Sequence, residues 1–351
     1  MKKKILVVSV SPKARGGVAT VVNTLKGSHT LNSKFDVEYF SSHDPRTLLG
    51  KVISPFISYL VFPFKAFNTD LVHIHGSMKT SFFRKSPYLF MARLLGKPVI
   101  YHMHAASVEN YFSRIPVWKS QFVGKLFSYY DLRLCLGTPW ISKLEGLTSS
   151  TWNVLHNPMK PGFRSEHHVK GNSTTSYVFL GELSKRKGIT DLLNAFAKAV
   201  VSSSSIKLSV AGNGDIDGLK AKCKELGIED KVDFVGWIGA EDKHQLLMES
   251  DVVVLPSYAE GLPMSVLEAM SYGKVVITTP VGATEDAIQH NVNGILVQPG
   301  DIDAIASAIS RTANEDVSSL AEQAYLDFNK NFHVEKIADR LADYYQELLC
   351  N

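Results

Sequence analysis

Short apolar runs recur along the chain, each followed by a stretch with helical spacing. In the first half they are KILVVSV (4–10), FDVEYFS (35–41), DLVHIHG (70–76), KPVIYHMHA (97–105), LRLCLGT (132–138) and TWNVLHN (151–157). In the second they are SYVFLGEL (176–183), IKLSVAGNG (206–214), KVDFVGWI (231–238), DVVVLPS (251–257), KVVITTPVG (274–282) and GILVQPG (294–300). Runs this apolar suit strands covered on both faces, and their alternation with helices predicts parallel sheets. Six in each half predict two doubly wound α/β domains. The join is HNPMKPGFRSEHHVKGNSTTS (156–176), rich in Pro, Gly, Ser and His. The predicted boundaries are a domain over 1–160, a linker over 161–175, a domain over 176–331 and a closing helix over 332–351. In that helix Val334, Ile337, Leu341, Tyr344, Tyr345 and Leu348 fall near helical spacing. A packing helix and a crossover onto the first domain both fit.

Composition keeps this picture within the soluble globular class. The 351 residues are 45% hydrophobic with a mean hydropathy of −0.01, enough for two cores. MKKKILVVSVS opens with cations before an apolar run, but the run is short and no small-residue cleavage pattern follows, so a strand is expected rather than a signal peptide. No apolar stretch approaches the roughly 20 residues that span a bilayer. Cys135, Cys223 and Cys350 lack metal-ligand spacing, which points to a reducing cytosolic compartment.

Charge changes the picture. The net formal charge of +4 hides 23 Lys and Arg against 8 Asp and Glu over residues 1–170, a balance of +15, and 15 against 26 over 171–351, a balance of −11. A basic half predicts an anionic partner: a membrane surface, nucleic acid or a phosphorylated substrate.

Ligands of open α/β sheets bind beyond the carboxyl ends of the strands, so polar features there are the candidates. Gly16-Gly17 lies between a strand and a helix expected near Val18, where paired glycines admit a ligand and helix amides attract an anion. It is neither a P-loop nor G-x-G-x-x-G, and a tight turn explains it equally well. His73 and His75, then His102 and His104, alternate on strand ends. A zinc site is conceivable, but no Cys or carboxylate is placed to complete it, and no metal site is assigned. Such histidines are most often hydrogen-bonded structural groups. His104 is the exception, directly before the small Ala105-Ala106-Ser107 loop. Lys185-Arg186-Lys187-Gly188 puts three cations at a strand end inside an acidic half, which favours an anion site over a solvated charge run. Gly212 and Gly214 in AGNGD mark a close turn, and Trp237 after FVG would stack on a base or pack.

YAEGLPMSVLEAM (258–270) holds two carboxylates, Glu260 and Glu268. Pro263 fits a first helical position and Gly261 a preceding turn. The amides of Met264 and Ser265 are then open to an anion. Glu268 lies about 7.5 Å further along the helix, at 1.5 Å per residue. A carboxylate accepts from a vicinal diol, so sugar, diphosphate and ribose would fit in this order.

These residues resemble the retaining glycosyltransferases of family 4, which have the GT-B fold of two Rossmann-like domains facing across a cleft. The resemblance rests on Glu260 and Glu268 in EGLPMSVLEAMSYGKVVITTPVGATEDAI, on GELSKRKG, on AGNGD and on FVGW, in family order over roughly 176–300. The first half fits more weakly, through Gly16-Gly17 and HMHAAS. The resemblance implies that Lys187, with Arg186, neutralises a donor diphosphate. It implies Glu260 on the transferred sugar, Glu268 on the ribose, and the amides of Met264 and Ser265 on the diphosphate. Gly16 or Gly17 would close on it from the other domain. It places His104 by the sugar, the base near Gly236-Trp237, and Gly212 and Gly261 in the donor loops. One departure is Glu182, where the family often has an Arg.

The activity implied is transfer of a sugar from a nucleotide diphosphate-sugar, UDP-linked by default, with retention and no cofactor or metal. The acceptor expected is a lipid-linked saccharide in capsule, O-antigen or exopolysaccharide assembly. FISYLVFPFKAF (56–67) and SFFRKSPYLFMARLLGKP (81–98) mix aromatics with cations as an interfacial segment does, and core helices with cationic outer faces fit them equally. With the basic half, they place the protein in the cytoplasm, peripheral on the inner membrane face. A sugar-nucleotide epimerase of the same fold is the alternative. A nucleic-acid-binding protein would explain the basic half but not Glu260 and Glu268, and no nucleic-acid partner is expected.

Overall fold

Each of the twelve apolar runs contains a strand. The computed structural model describes residues 2–14, 16–44, 48–106, 108–164, 174–203 and 205–350, with backbone only at 48, 49, 51 and 52. The chain divides into Met1–Lys160 with Phe332–Asn351, and Pro161–Asn331. Of the expected linker, residues 165–173 lie outside the described residues, as does Ser107.

The first unit runs β1 (Lys3–Ser9), α1 (Gly17–Lys26), α2 (His29–Lys34), β2 (Phe35–Ser41), α3 (Leu48–Phe67), β3 (Leu71–Gly76), α4 (Thr80–Leu94), β4 (Val99–Met103), α5 (Val108–Phe112), α6 (Val117–Ser128), β5 (Leu132–Cys135), α7 (Pro139–Thr148) and β6 (Asn153–Val154). Its strands pair in parallel in the order β2-β1-β3-β4-β5-β6. Every residue of β3 and β4 is buried, as the continuous apolar runs require of a sheet covered on both faces. The order reverses at β1. Right-handed crossovers therefore put α1 and α2 on one face and α3, α4 and α6 on the other.

The second unit runs β7 (Thr175–Leu180), α8 (Ile189–Ser202), β8 (Ile206–Ala211), α9 (Ile216–Leu226), β9 (Val232–Gly236), α10 (Ala240–Glu249), β10 (Val252–Leu255), α11 (Met264–Ser271), β11 (Val275–Thr278), β12 (Ile295–Leu296), α12 (Ile302–Asn314) and α13 (Ser318–Asn331). Its parallel order is β12-β11-β10-β7-β8-β9, reversing between β7 and β10.

The closing helix, α14 (Val334–Cys350), belongs to the first unit. Val334, Ile337, Leu341 and Tyr345 are its buried stripe, while Tyr344 and Leu348 are only partly covered. Tyr345 packs edge-on against Phe35 at 5.4 Å, and its hydroxyl meets His73 Nδ1 at 2.7 Å. Glu335 accepts from the Ser28 hydroxyl (2.8 Å) and from the amides of His29 (3.1 Å) and Thr30 (2.9 Å). It thus caps α2 from another element.

Burial opposes ionisation of Glu335, but the bonds from Thr30, Ser28 and His29 outweigh it and hold its pKa at about 2 against an ordinary 4.5. The folded value is the lower one, so this stabilisation is present above pH 4.5 and is lost as pH falls toward 2. Glu335→Gln is expected to lower the unfolding free energy by about 1–2 kcal/mol at neutral pH. It should also flatten the acid dependence in that window. Urea unfolding followed by tryptophan fluorescence across pH checks both.

Candidate functional site

The strand-order reversal between β7 and β10 opens a crevice at their carboxyl ends. Two loops meet there. After β7, Lys185–Lys187 form one 3-10 turn that ends at Gly188 in the left-handed region, φ 72°. A Cβ at Gly188 would lie 2.1 Å from the Pro256 carbonyl oxygen, so only glycine lets this turn approach the loop after β10. The Tyr258 amide donates to the Arg186 carbonyl at 2.8 Å and fastens the two loops.

That fastening sets an ion pair. Lys187 Nζ lies 2.5 Å from Glu260 Oε1, and the Ser257 hydroxyl donates to the same oxygen at 2.7 Å. The two charged side chains are 13% and 8% exposed, so the pair is held largely out of water. Arg186 donates to the Ala259 carbonyl (3.0 Å) and stands 3.7 Å from Glu260 Oε2. Its other nitrogen meets the exposed Glu182 at 3.2 Å, a contact worth little in solvent. Removing one partner of a buried pair costs about 3–5 kcal/mol, because the other charge is left uncompensated.

α11 follows. Pro263 stands at its N-cap with an extended ψ of 123°, not at the first helical position expected from sequence. Its φ of −71° suits either place, and the extended ψ delays the helix by one residue. The amides of Met264 and Ser265 have no acceptor among the described residues. Glu268, one turn on, pairs with Lys243 of α10. Lys243 and Ser257 were not singled out from sequence, because each meets its carboxylate only through the fold.

The remaining donor-loop candidates gather at the ends of β8 and β9. Gly212 donates to the Gly236 carbonyl at 2.8 Å, and a Cβ on it would sit 1.6 Å from the Gly181 carbonyl oxygen. Leu183 donates to the Asn213 carbonyl at 2.8 Å. Trp237, just past β9, is half exposed. Gly261 accepts from the Ala283 amide at 2.7 Å.

The first unit holds the other candidates. Gly16 is the N-cap of α1 at φ 127°, and the helix begins at Gly17, one residue before the expected start. His104 follows β4, donates its amide to the Gly76 carbonyl (2.7 Å) and meets His75 Nδ1 through Nε2 at 2.9 Å. His73, His75 and His102 are fully buried, with one ring nitrogen from each within 4.8 Å of the others. The expectation of hydrogen-bonded histidines holds for His73, through Tyr345, and for His75 and His104, through each other. His73 Nε2, His75 Nε2 and both nitrogens of His102 lack a well-aligned partner. No carboxylate or thiolate joins this group among the described residues, and buried Lys85 donates to the His75 carbonyl. A dication there would add unbalanced buried charge, so neutral imidazoles fit better. A cavity of about 400 Å³ lies beside α3, lined by Ser11, Phe40, Ser41, Asp44, Ile57 and Val61 among others.

Comparison with known proteins matches the description "Glycosyl transferases group 1" to residues 164–327. The chain is 30% identical to the lipopolysaccharide 1,6-galactosyltransferase of Escherichia coli over 218 residues, 60% of each chain. It thus spans three-fifths of that relative's length. It is 24% identical to the UDP-Gal:alpha-D-GlcNAc-diphosphoundecaprenol alpha-1,3-galactosyltransferase of Escherichia coli, over 80% of this chain and 76% of the other. A crystal structure of Anabaena HepE with UDP and glucose superposes with a TM-score of 0.76 at 19% identity, covering 98% of this chain and all of the other. That likeness shows the fold, GT-B, as expected.

Two outcomes are expected here. Gly282 has φ 64°, and an added Cβ would fall 2.0 Å from the Glu260 carbonyl oxygen. Gly282→Ala should therefore displace the Glu260 loop and cost about 1–3 kcal/mol, read as a lowered melting temperature. Burial, before any neighbouring charge, drives the His73, His75, His102 and His104 pKa values below the ordinary 6.5, to about 3 for His102. Unfolded chain then binds more protons below pH 6.5, so stability is full above 6.5 and falls as pH drops toward 3, by about 1.4 kcal/mol per pH unit per histidine. His102→Phe should shallow that fall in urea unfolding at pH 7 and pH 5.

Proposed function

We propose that this chain, whose residues 164–327 match the glycosyl transferases group 1 family, transfers a hexose from a UDP-sugar to a lipid-linked saccharide, with retention at the anomeric carbon. The pathway is assembly of a bacterial surface polysaccharide. The observation that carries this reading is the Lys187–Glu260 pair at the sheet's reversal, followed by two open amides and then Glu268. The names of the two Escherichia coli galactosyltransferases and the UDP in HepE support it. No comparison favours a sugar-nucleotide epimerase.

In this mechanism the donor diphosphate draws the Lys187 ammonium and binds the amides of Met264 and Ser265. Arg186 adds charge at the same place. Glu260, released from Lys187, accepts from hydroxyls of the transferred sugar, while Glu268 accepts from the ribose and the base rests near Trp237. The bond from C1 to the phosphate oxygen breaks and its electron pair stays on the diphosphate, which the cations and amides stabilise. The acceptor oxygen bonds C1 from the same face, and its proton passes to the departing phosphate oxygen. Cations and amides alone meet the diphosphate charge, so no metal is invoked. The acceptor is a saccharide on a membrane lipid, and the basic first unit holds the enzyme on the anionic cytoplasmic face.

Donor hydrolysis and transfer, screened over UDP-, GDP- and ADP-sugars, are expected to favour UDP, with product anomeric configuration read by NMR. Glu260→Gln should lower kcat about 100-fold or more. Glu268→Gln should weaken UDP binding about tenfold, the loss of one charge-assisted hydrogen bond. Full activity in Glu260→Gln would sink the assignment.

A further inference from the structure

The outer side of the first unit carries large apolar side chains that its core does not use. On α3, Ile53, Phe56, Ile57, Leu60, Phe64 and Phe67 are 46–77% exposed. Their spacing of three and four residues puts them on one face, while Ser58, Phe62 and Ala66 on the other face are buried. The ridge continues on the neighbouring helices, where Phe90 and Leu94 of α4 and Val117, Trp118 and Phe122 of α6 are also exposed. α3 packs on α4 through Tyr59, whose hydroxyl donates to the Arg84 carbonyl at 2.6 Å. α4 meets α6 where the Lys119 ammonium lies 5.6 Å over the Phe83 ring. Phe90 meets Tyr129, just past α6, at 6.0 Å.

Charge on these helices is basic. α3, α4 and α6 together hold seven Lys and Arg and no Asp or Glu. Lys85 is buried, and Lys65 and Arg93 pair with Glu38 and Asp131 of neighbouring segments, while Lys125 is exposed and Arg84 and Lys119 are half-buried. A water-facing layer ordinarily mixes both signs and avoids a continuous apolar ridge. A second copy meeting this face about a two-fold axis would set its surface cations, Lys119 and Lys125 among them, against the same cations. Nucleic acid would neutralise the cations but leave the Leu, Ile and Phe ridge with nothing apolar to bury against. An anionic bilayer satisfies both features: acyl chains take the ridge and acidic headgroups take the cations. Spanning is ruled out for α3 because its inner side is core, and no helix among the described residues is long and apolar enough to cross a membrane.

We propose that the layer of α3, α4 and α6 inserts shallowly into the interface of an anionic lipid bilayer, with α3 in the membrane plane. This sharpens the membrane placement given above and does not depend on the sugar chemistry. Ile57 and Val61 are shared between the exposed side of α3 and the wall of the 400 Å³ cavity. Insertion therefore brings that cavity to headgroup level.

The test is flotation of the full chain with phosphatidylcholine vesicles, with and without phosphatidylglycerol. Binding is expected to be at least about tenfold tighter with phosphatidylglycerol. Leu60→Glu with Phe64→Glu should weaken it at least about tenfold, while Leu326→Glu, an exposed leucine of the second unit, should leave it unchanged. Trp118→Phe should abolish a vesicle-induced blue shift in fluorescence. Melting temperature and UDP binding, measured on the same preparations, separate loss of fold from loss of the face. No binding to phosphatidylglycerol vesicles, or binding that ignores the double substitution, overturns the proposal. So does a dimer that the double substitution dissolves without any vesicle binding. Vesicle binding with no UDP binding would instead count against the transfer reading and leave this one standing.

Discussion

The second unit depends on the Glu260 carboxylate being held out of water by Lys187 and Ser257. Neither loop reaches that arrangement alone. Gly188 must turn left-handed against the Pro256 carbonyl, and Gly282 must pass against the Glu260 carbonyl, before the charges can meet. The sheet supplies the rest, since the order reverses between β7 and β10 and leaves their loops side by side. A pair that costs desolvation to assemble is a weak way to stabilise a domain. In the proposed mechanism it holds a cation and an acceptor ready at one crevice, where a diphosphate would take the place of the carboxylate on Lys187.

The strands were readable because a parallel sheet buried on both faces leaves unbroken apolar runs, with little room for a competing period. Their ends were less so. β6 and β12 shrink to two residues inside seven-residue runs, because edge strands pair only where a neighbour extends. The start of α11 moved by one residue because φ of proline suits both the cap and the first turn, and ψ decides between them. The glycines and carboxylates of the site carried a spacing signal along one helix. Lys243 and Ser257 carried none, since their partners are fixed by tertiary packing. The segment of α3 was legible as either interfacial or core, but its sides were not: a helix this apolar shows no period that tells its buried side from its outer one.

The halves of opposite charge divide the chemistry. In the second unit, acids dominate overall, so the cluster Lys185-Arg186-Lys187 is a local exception placed where an anion would bind. In the first unit, the cations share a face with apolar side chains, and the buried histidines form a neutral interior that acid would disrupt. On the proposed reading, each half presents positive charge to a different phosphate: a soluble diphosphate in one, a headgroup plane in the other.

The central claim is most directly tested by a crystal structure of the chain soaked with UDP. The account predicts the diphosphate within hydrogen-bond reach of Lys187 Nζ and the amides of Met264 and Ser265, the ribose hydroxyls on Glu268, and the Lys187–Glu260 contact broken or lengthened. UDP bound away from α11, or bound with Lys187 still on Glu260 and Glu268 still on Lys243, would contradict it.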